Sequence, residues 1–300
     1  MPVFRVDQRA DRGDFAAGDS AGLAWDVLRQ TANHTLFDEI DLSDCPHLKP
    51  YAIACLCGLG LLVRNNGGGV RLTLPTDGGC RDHLCRLQMP AWFNCGPLPE
   101  VIQRATNLPL EQVKWPASGA AERIIEMLAP RAQLPPAVSP RMMESLDEII
   151  HNALTHAHSP IDCVVVGQAF PHTKKVEVAI LDLGQTIKGH LSQNPKYRDI
   201  TADSDAIVKA TEDGVTGTPD GQLNSRGEPN SGAGLAFTRD YCERGGGELT
   251  ILSGDCWVTF GPGQTPIIGH LNRYRFQGCL VNVRYSTGFC LPGSAAEPIL

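Results

Sequence analysis

The sequence predicts an α+β protein in two parts, a small α/β unit in residues 1–114 and a larger one in residues 115–300. Three observations lead there. Strand, helix and strand signals follow one another between residues 35 and 75. A stretch rich in proline and alanine, residues 115–140, interrupts that pattern. Beyond it a strongly amphipathic helix is followed by apolar strand segments and glycine-rich turns.

In the first part, residues 35–42 (TLFDEIDL) read as a strand and residues 50–64 as an apolar helix opened by Pro50. Proline suits a first helical turn, where its missing N–H would have had no partner. Residues 69–75 (GVRLTLP) return as a strand after a glycine-rich turn, and CRDHLCRLQMPAWF reads as a further amphipathic helix. This order resembles the later half of a STAS domain, the fold of anti-sigma-factor antagonists. Antagonists of that family carry a phosphorylatable serine at the start of the helix. Here the segment reads CPHLKPYAIA, with Lys49, Pro50 and Tyr51 in that place, so the resemblance implies a docking or regulatory unit without the phosphoacceptor.

At 42% hydrophobic and 20% charged residues the 300-residue chain can fill one large core or two ordinary ones. A net charge of -7 offers no basic field for nucleic acid or for an anionic membrane, so neither is expected as a partner. The longest apolar stretch, residues 51–63, falls short of the roughly 20 residues a spanning helix needs, and the first 15 residues lack a signal-peptide core. A cytoplasmic protein is expected. The 11 cysteines are odd in number and follow no framework spacing, which favours reduced thiols. Cys55 and Cys57 sit in the apolar helix as small hydrophobes. Cys80, His83, Cys85 and Cys95 are the one zinc-like group, but without a CxxC pair they read as thiols scattered around a helix.

The chemistry gathers in the second part. Residues 142–158 (MMESLDEIIHNALTHAH) place Met143, Leu146, Ile149, Ile150, Ala153 and Leu154 at helical spacing. Glu148, Asn152 and His156 fall at i, i+4 and i+8, about 40° apart per step, so a carboxylate, an amide and an imidazole line one side. Alone, such a row would be a solvated helix face. It is followed, however, by a strand KVEVAILDLG ending in Asp182 and Gly184, and then by GAGLA (Gly232, Gly234, Leu235) at the head of a helix.

In that order EIIHNALTH resembles the N box of GHKL ATPases, the group of histidine kinases, Hsp90, gyrase and the anti-sigma-factor kinases. DLGQTI, closing on Ile187, resembles their first glycine box and GAGLA the second. FQGCLVNV resembles the closing Gly-Thr-x-Val strand, with cysteine in place of threonine, and the match spans roughly residues 120–285. The resemblance implies a Bergerat α/β sandwich that binds ATP with Mg²⁺. It assigns Asp182 to the exocyclic amine of adenine, Gly184 to leaving room for the base, Asn152 to the metal and Glu148 to the general base. Gly232 and Gly234 would bring backbone N–H groups and a helix dipole to the triphosphate. Residues 188–231, a long polar segment in which only AIVKATEDG reads as helix, stand where the family has its ATP lid. Lys209, Arg226 and Ser231 are its candidates for phosphate contacts, with solvated loop charges an equal reading for the first two. His156 matches the N box of the anti-sigma serine kinases, the branch this chain resembles most.

No long heptad pattern precedes this region, as a sensor histidine kinase would need, and no large transducer follows the second glycine box. Two functions remain. One is an enzyme that uses Mg-ATP for hydrolysis or for transfer to a protein serine or threonine. The other is an ATP-gated protein-interaction module with little turnover. A protein partner of unknown identity is expected, and a homodimer is a candidate assembly.

Overall fold

The computed structural model describes residues 3–5, 38–93, 110–117, 119–134, 139–219, 232, 234–271 and 275–287. Among the described residues the fold is mixed α/β, built on a three-stranded and a seven-stranded sheet. The small sheet is parallel, in the order β1 (Val3–Arg5), β2 (Glu39–Asp41), β3 (Arg71–Thr73). Between β2 and β3 runs helix α1 (Pro50–Asn65), so the strand-helix-strand crossover read from the sequence is present; residues 35–37 of its first strand lie outside the described residues, and its second is shortened to Arg71–Thr73. The expected amphipathic helix after β3 is broken. Helix α2 (Gly78–Arg86), capped by Asp77 accepting from the Cys80 amide, stops before Gln88, whose φ of 58° lies in the left-handed region. A single 3-10 stretch, Met89–Phe93, continues from there.

The large sheet is antiparallel throughout. Its strands are β4 (Glu111–Val113), β5 (Cys163–Phe170), β6 (Lys175–Asp182), β7 (Glu248–Gly254), β8 (Cys256–Phe260), β9 (Ile267–His270) and β10 (Phe276–Ser286), in the order β4-β5-β6-β10-β7-β8-β9. The last strand thus lies in the middle of the sheet. The helices of the second part are α3 (Ala120–Ala132), α4 (Ser139–Thr155), α5 (Ile187–Leu191), α6 (Asp203–Ala210) and α7 (Gly234–Arg244).

Both faces of the central strands are buried, which explains why VVV in β5 and VAIL in β6 read as continuous apolar runs. Period-2 alternation sends Val165, Val178, Ile180, Val281 and Val283 toward α3, α4 and α7. It sends Val164, Val166, Ala179 and Leu181 to the other face, where they join Tyr51, Ile53, Leu56 and their neighbours on α1 in one core. Asn65 Nδ2 at the end of α1 donates to the Pro160 carbonyl at 2.8 Å. Among the described residues no helix is long and apolar enough to cross a membrane.

The contact between α1 and β6 is close because Gly58 has no side chain: a Cβ there would stand 2.5 Å from Leu181 Cδ2 and 3.3 Å from Ile161 Cδ1. Gly58→Val should therefore destabilise the protein by about 1–3 kcal/mol, the usual cost of overfilling a packed core. Urea unfolding measures this, and an unchanged midpoint would show that α1 is free to move off the sheet.

Candidate functional site

Helix α4 buries Met142, Leu146, Ile149, Ile150 and Ala153 against the sheet, which leaves Glu148 and Asn152 half-buried on the adjoining side. The helix ends at Thr155, whose hydroxyl donates to the His151 carbonyl at 2.8 Å. His156 lies one residue beyond, and its amide still donates to the Asn152 carbonyl at 3.0 Å. The row of three polar side chains is preserved across the helix end. All three line a single cavity.

The opposite wall is the end of β6. Asp182 points to the α4 side of the sheet, as Ile180 does, and is 4% exposed. Its Oδ1 accepts from the Gly184 amide at 2.9 Å. Burial pushes this carboxyl up to about 7, against the opposing hydrogen bonds from the Gly184 and Cys279 amides. Cys279 is its register partner on β10 and also lines the cavity, with a thiol raised well above its ordinary value by burial and by Asp182. A bulge in β10 brings Gly278, at φ 103°, onto the Asp182 backbone so closely that no Cβ would fit.

The turn after Asp182 is fastened on three sides. Gln185 donates from its amide to the Ala157 carbonyl at 2.7 Å and from Nε2 to the His156 carbonyl at 2.5 Å. Gln277 Nε2 donates to the Gly184 carbonyl at 2.9 Å, and the Ile187 amide donates to Ser253 Oγ at 3.0 Å. Thr186 caps α5 by accepting from the Gly189 amide at 3.1 Å.

The third wall comes from the second glycine-rich turn and from the described start of the segment before it. Gly232 takes φ 66° and sits against the backbone of Gly214 and Val215. Val215, Thr216 and Gly217 line the cavity, held by Asn194, whose Nδ2 donates to the carbonyls of Thr216 at 3.1 Å and Thr218 at 3.2 Å. Gly217 packs on the His190 backbone and ring. The His190 and His156 rings stack with centroids 4.5 Å apart. Burial pushes His190 down to about 4, and its Nδ1 is buried without a hydrogen-bond partner.

The cavity measures about 110 Å³, several times the roughly 10–15 Å³ that one water occupies on the same measure. Of the residues singled out in the sequence, it brings together Glu148, Asn152, His156, Asp182, Ile187, Gly232, Gly234 and Leu235. Gly184 is not in its lining, and the space its missing side chain leaves is filled by the Ala157 carbonyl. Lys209 lies elsewhere, in an outer depression beside Tyr197 and Asp205, paired with Glu212 at 2.5 Å. Arg226 and Ser231 lie outside the described residues. Sequence reasoning missed Gln185, Thr186, His190, Thr216 and Cys279. Gln185 and Thr186 carried a signal, standing inside the DLGQTI turn, and so did Cys279, the cysteine of FQGCLVNV. Comparison with protein-family models, with curated proteins and with solved structures finds no match for this chain.

The raised carboxyl of Asp182 predicts a pH-dependent stability. Its folded value of about 7 lies above the ordinary 3.8, so the folded state holds this proton more tightly than the unfolded chain does. The contribution is complete below pH 3.8 and is lost as pH rises through about 7. Asp182→Asn keeps an acceptor for Gly184 and does not ionise. Its melting temperature should gain on wild type across that window and level off above it. A difference that stays constant with pH would mean that Asp182 is ionised and solvated throughout.

Proposed function

We propose that this chain is a GHKL-type ATP-binding protein that uses Mg-ATP for hydrolysis or for phosphoryl transfer to a serine or threonine of a protein partner. The observation that supports this reading most is the convergence of Glu148, Asn152, Asp182, Gly232 and Gly234 on one cavity from three separate stretches of chain. Their order in the sequence suggested the family. Their meeting in space was not required by that order.

The donors suit the ligand. A buried carboxylate that accepts from the Gly184 and Cys279 amides still has lone pairs for an amine donor such as the exocyclic group of adenine. Ile149, Ile180, Ile187, Leu191 and Val281 give the cavity apolar lining against which a flat base would pack. Elsewhere in the lining Asn152 offers an amide oxygen, a hard donor of the kind Mg²⁺ takes together with phosphate oxygens. Bound Mg²⁺ supplies charge neutralisation for the phosphates. Among the described residues Glu148 is the one cavity carboxylate beside Asn152, and its part is to hold the proton of the attacking water or hydroxyl.

A second reading, an ATP-gated interaction module with little turnover, is favoured by the segment Val215–Gly217. Tied down by Asn194 and wedged between His190 and Gly232, it is placed to respond to what fills the cavity. The free thiols of the described cysteines support a reducing compartment, the cytoplasm, under either reading.

Calorimetric titration of Mg-ATP tests the proposal. Asp182→Asn should weaken binding about 10- to 100-fold, the range for a lost hydrogen bond to a charged group. Wild-type affinity should fall as pH drops below about 7, where the carboxyl takes up its proton, while the Asp182→Asn variant shows little pH dependence. Asn152→Ala should remove the Mg²⁺ dependence of binding. Equal affinities for wild type and Asp182→Asn at every pH would take Asp182 out of the site and the adenine reading with it.

A further inference from the structure

Helix α7 starts with the sequence GLAF, which contains no acidic side chain in its first turn. The first N–H groups of a helix lack intrahelical partners and carry the positive end of its dipole. A carboxylate from a different helix lies beside this terminus. A Cβ at Gly234 would overlap Cγ, Cδ and Oε1 of Glu148, so the Glu148 side chain, carboxylate included, lies on the first residue of α7. Both residues line the cavity.

The two helices are fixed relative to one another just behind this contact. Ser145, about one turn before Glu148, has its Oγ 2.8 Å from Thr238 Oγ1 and 3.0 Å from Tyr285 Oη. Thr238 stands about one turn after Gly234, and all three hydroxyl-bearing residues are buried. This network ties α4 and α7 to β10. The contact of Glu148 with Gly234 thus lies between two helices held together by buried hydroxyls.

Resting on the ATP reading above, we propose that Glu148 is an internal competitor for the phosphates. Its carboxylate, lying against Gly234, occupies the start of α7 where that reading puts a terminal phosphate, and nucleotide binding must displace it. A group acting only as a general base would leave affinity unchanged when replaced by its amide. A competitor would not.

The test is calorimetry on wild type and Glu148→Gln with two probes in Mg²⁺ buffer, a non-hydrolysable ATP analogue and adenosine. The variant should bind the analogue roughly three- to tenfold more tightly, the scale of one charge at a helix N-terminus, with adenosine affinity unchanged. Equal or weaker analogue binding, with adenosine bound alike by both proteins, would overturn the competitor role and leave the ATP reading standing. A gain shared equally by analogue and adenosine would also overturn it, since adenosine carries no phosphate. Failure of both proteins to bind either probe would overturn the inference together with the ATP reading.

Discussion

The Ala157 carbonyl stands where a side chain of residue 184 would be, and the rest of the cavity depends on that contact. It presses the turn after β6 onto the end of α4. Only glycine allows the approach, and the Gln185 amide then satisfies the same carbonyl, so the end of the helix is not left with an unpaired acceptor. From this junction the positions of the surrounding groups follow. Asp182 is held two residues before it, Ile187 three residues after it, and His156 immediately ahead of Ala157 on the facing element. Gln185 and Gln277 add side-chain bonds to the same turn. The glycine is thus needed for backbone-to-backbone contact, which leaves the role of the cavity wall to its neighbours.

Asp182 illustrates what such a site costs. An ionised carboxylate in a nearly dry place is unfavourable, and two amide hydrogen bonds offset only part of that, which is why the carboxyl titrates near neutral pH. A protein under no demand at this position would gain by placing an apolar residue there, as it does at Ile180 and Val281 on the same face. A buried acid kept at the end of a central strand, beside an open cavity, is where a ligand donor would supply the missing compensation.

Much of this was legible because the elements with long, regular patterns were also the ones that matter. Helix α4 announced itself by its apolar spacing, β6 by its unbroken run to Asp182, and α7 by the glycines before it. Legibility ended where tertiary contacts decide the outcome. The helix expected after β3 stops early because the chain turns through a left-handed Gln88 before Pro90. The short helix α5 was hidden in a polar stretch and depends on a Thr186 cap. Cys279 enters the site through a bulge in β10, and His190 through stacking on His156. None of these has a periodicity to read. Lys209 shows the converse: a lysine in the right segment was a reasonable phosphate contact by position, but its helix turns it outward to Glu212 while Ala210 faces the cavity.

The two faces of the large sheet connect this site to the amino-terminal part. Consecutive residues of β6 point in opposite directions, so Leu181 packs under Gly58 of α1 while Asp182 faces α4. The contact with α1 and the buried carboxyl are thus separated by a single peptide unit. The parallel crossover β2-α1-β3 is held to the sheet by the same core that contains Leu181. Packed cores transmit shifts because they deform little. If a partner docks on the amino-terminal part, α1 and Leu181 are the shortest physical route by which docking and occupancy of the cavity would influence each other.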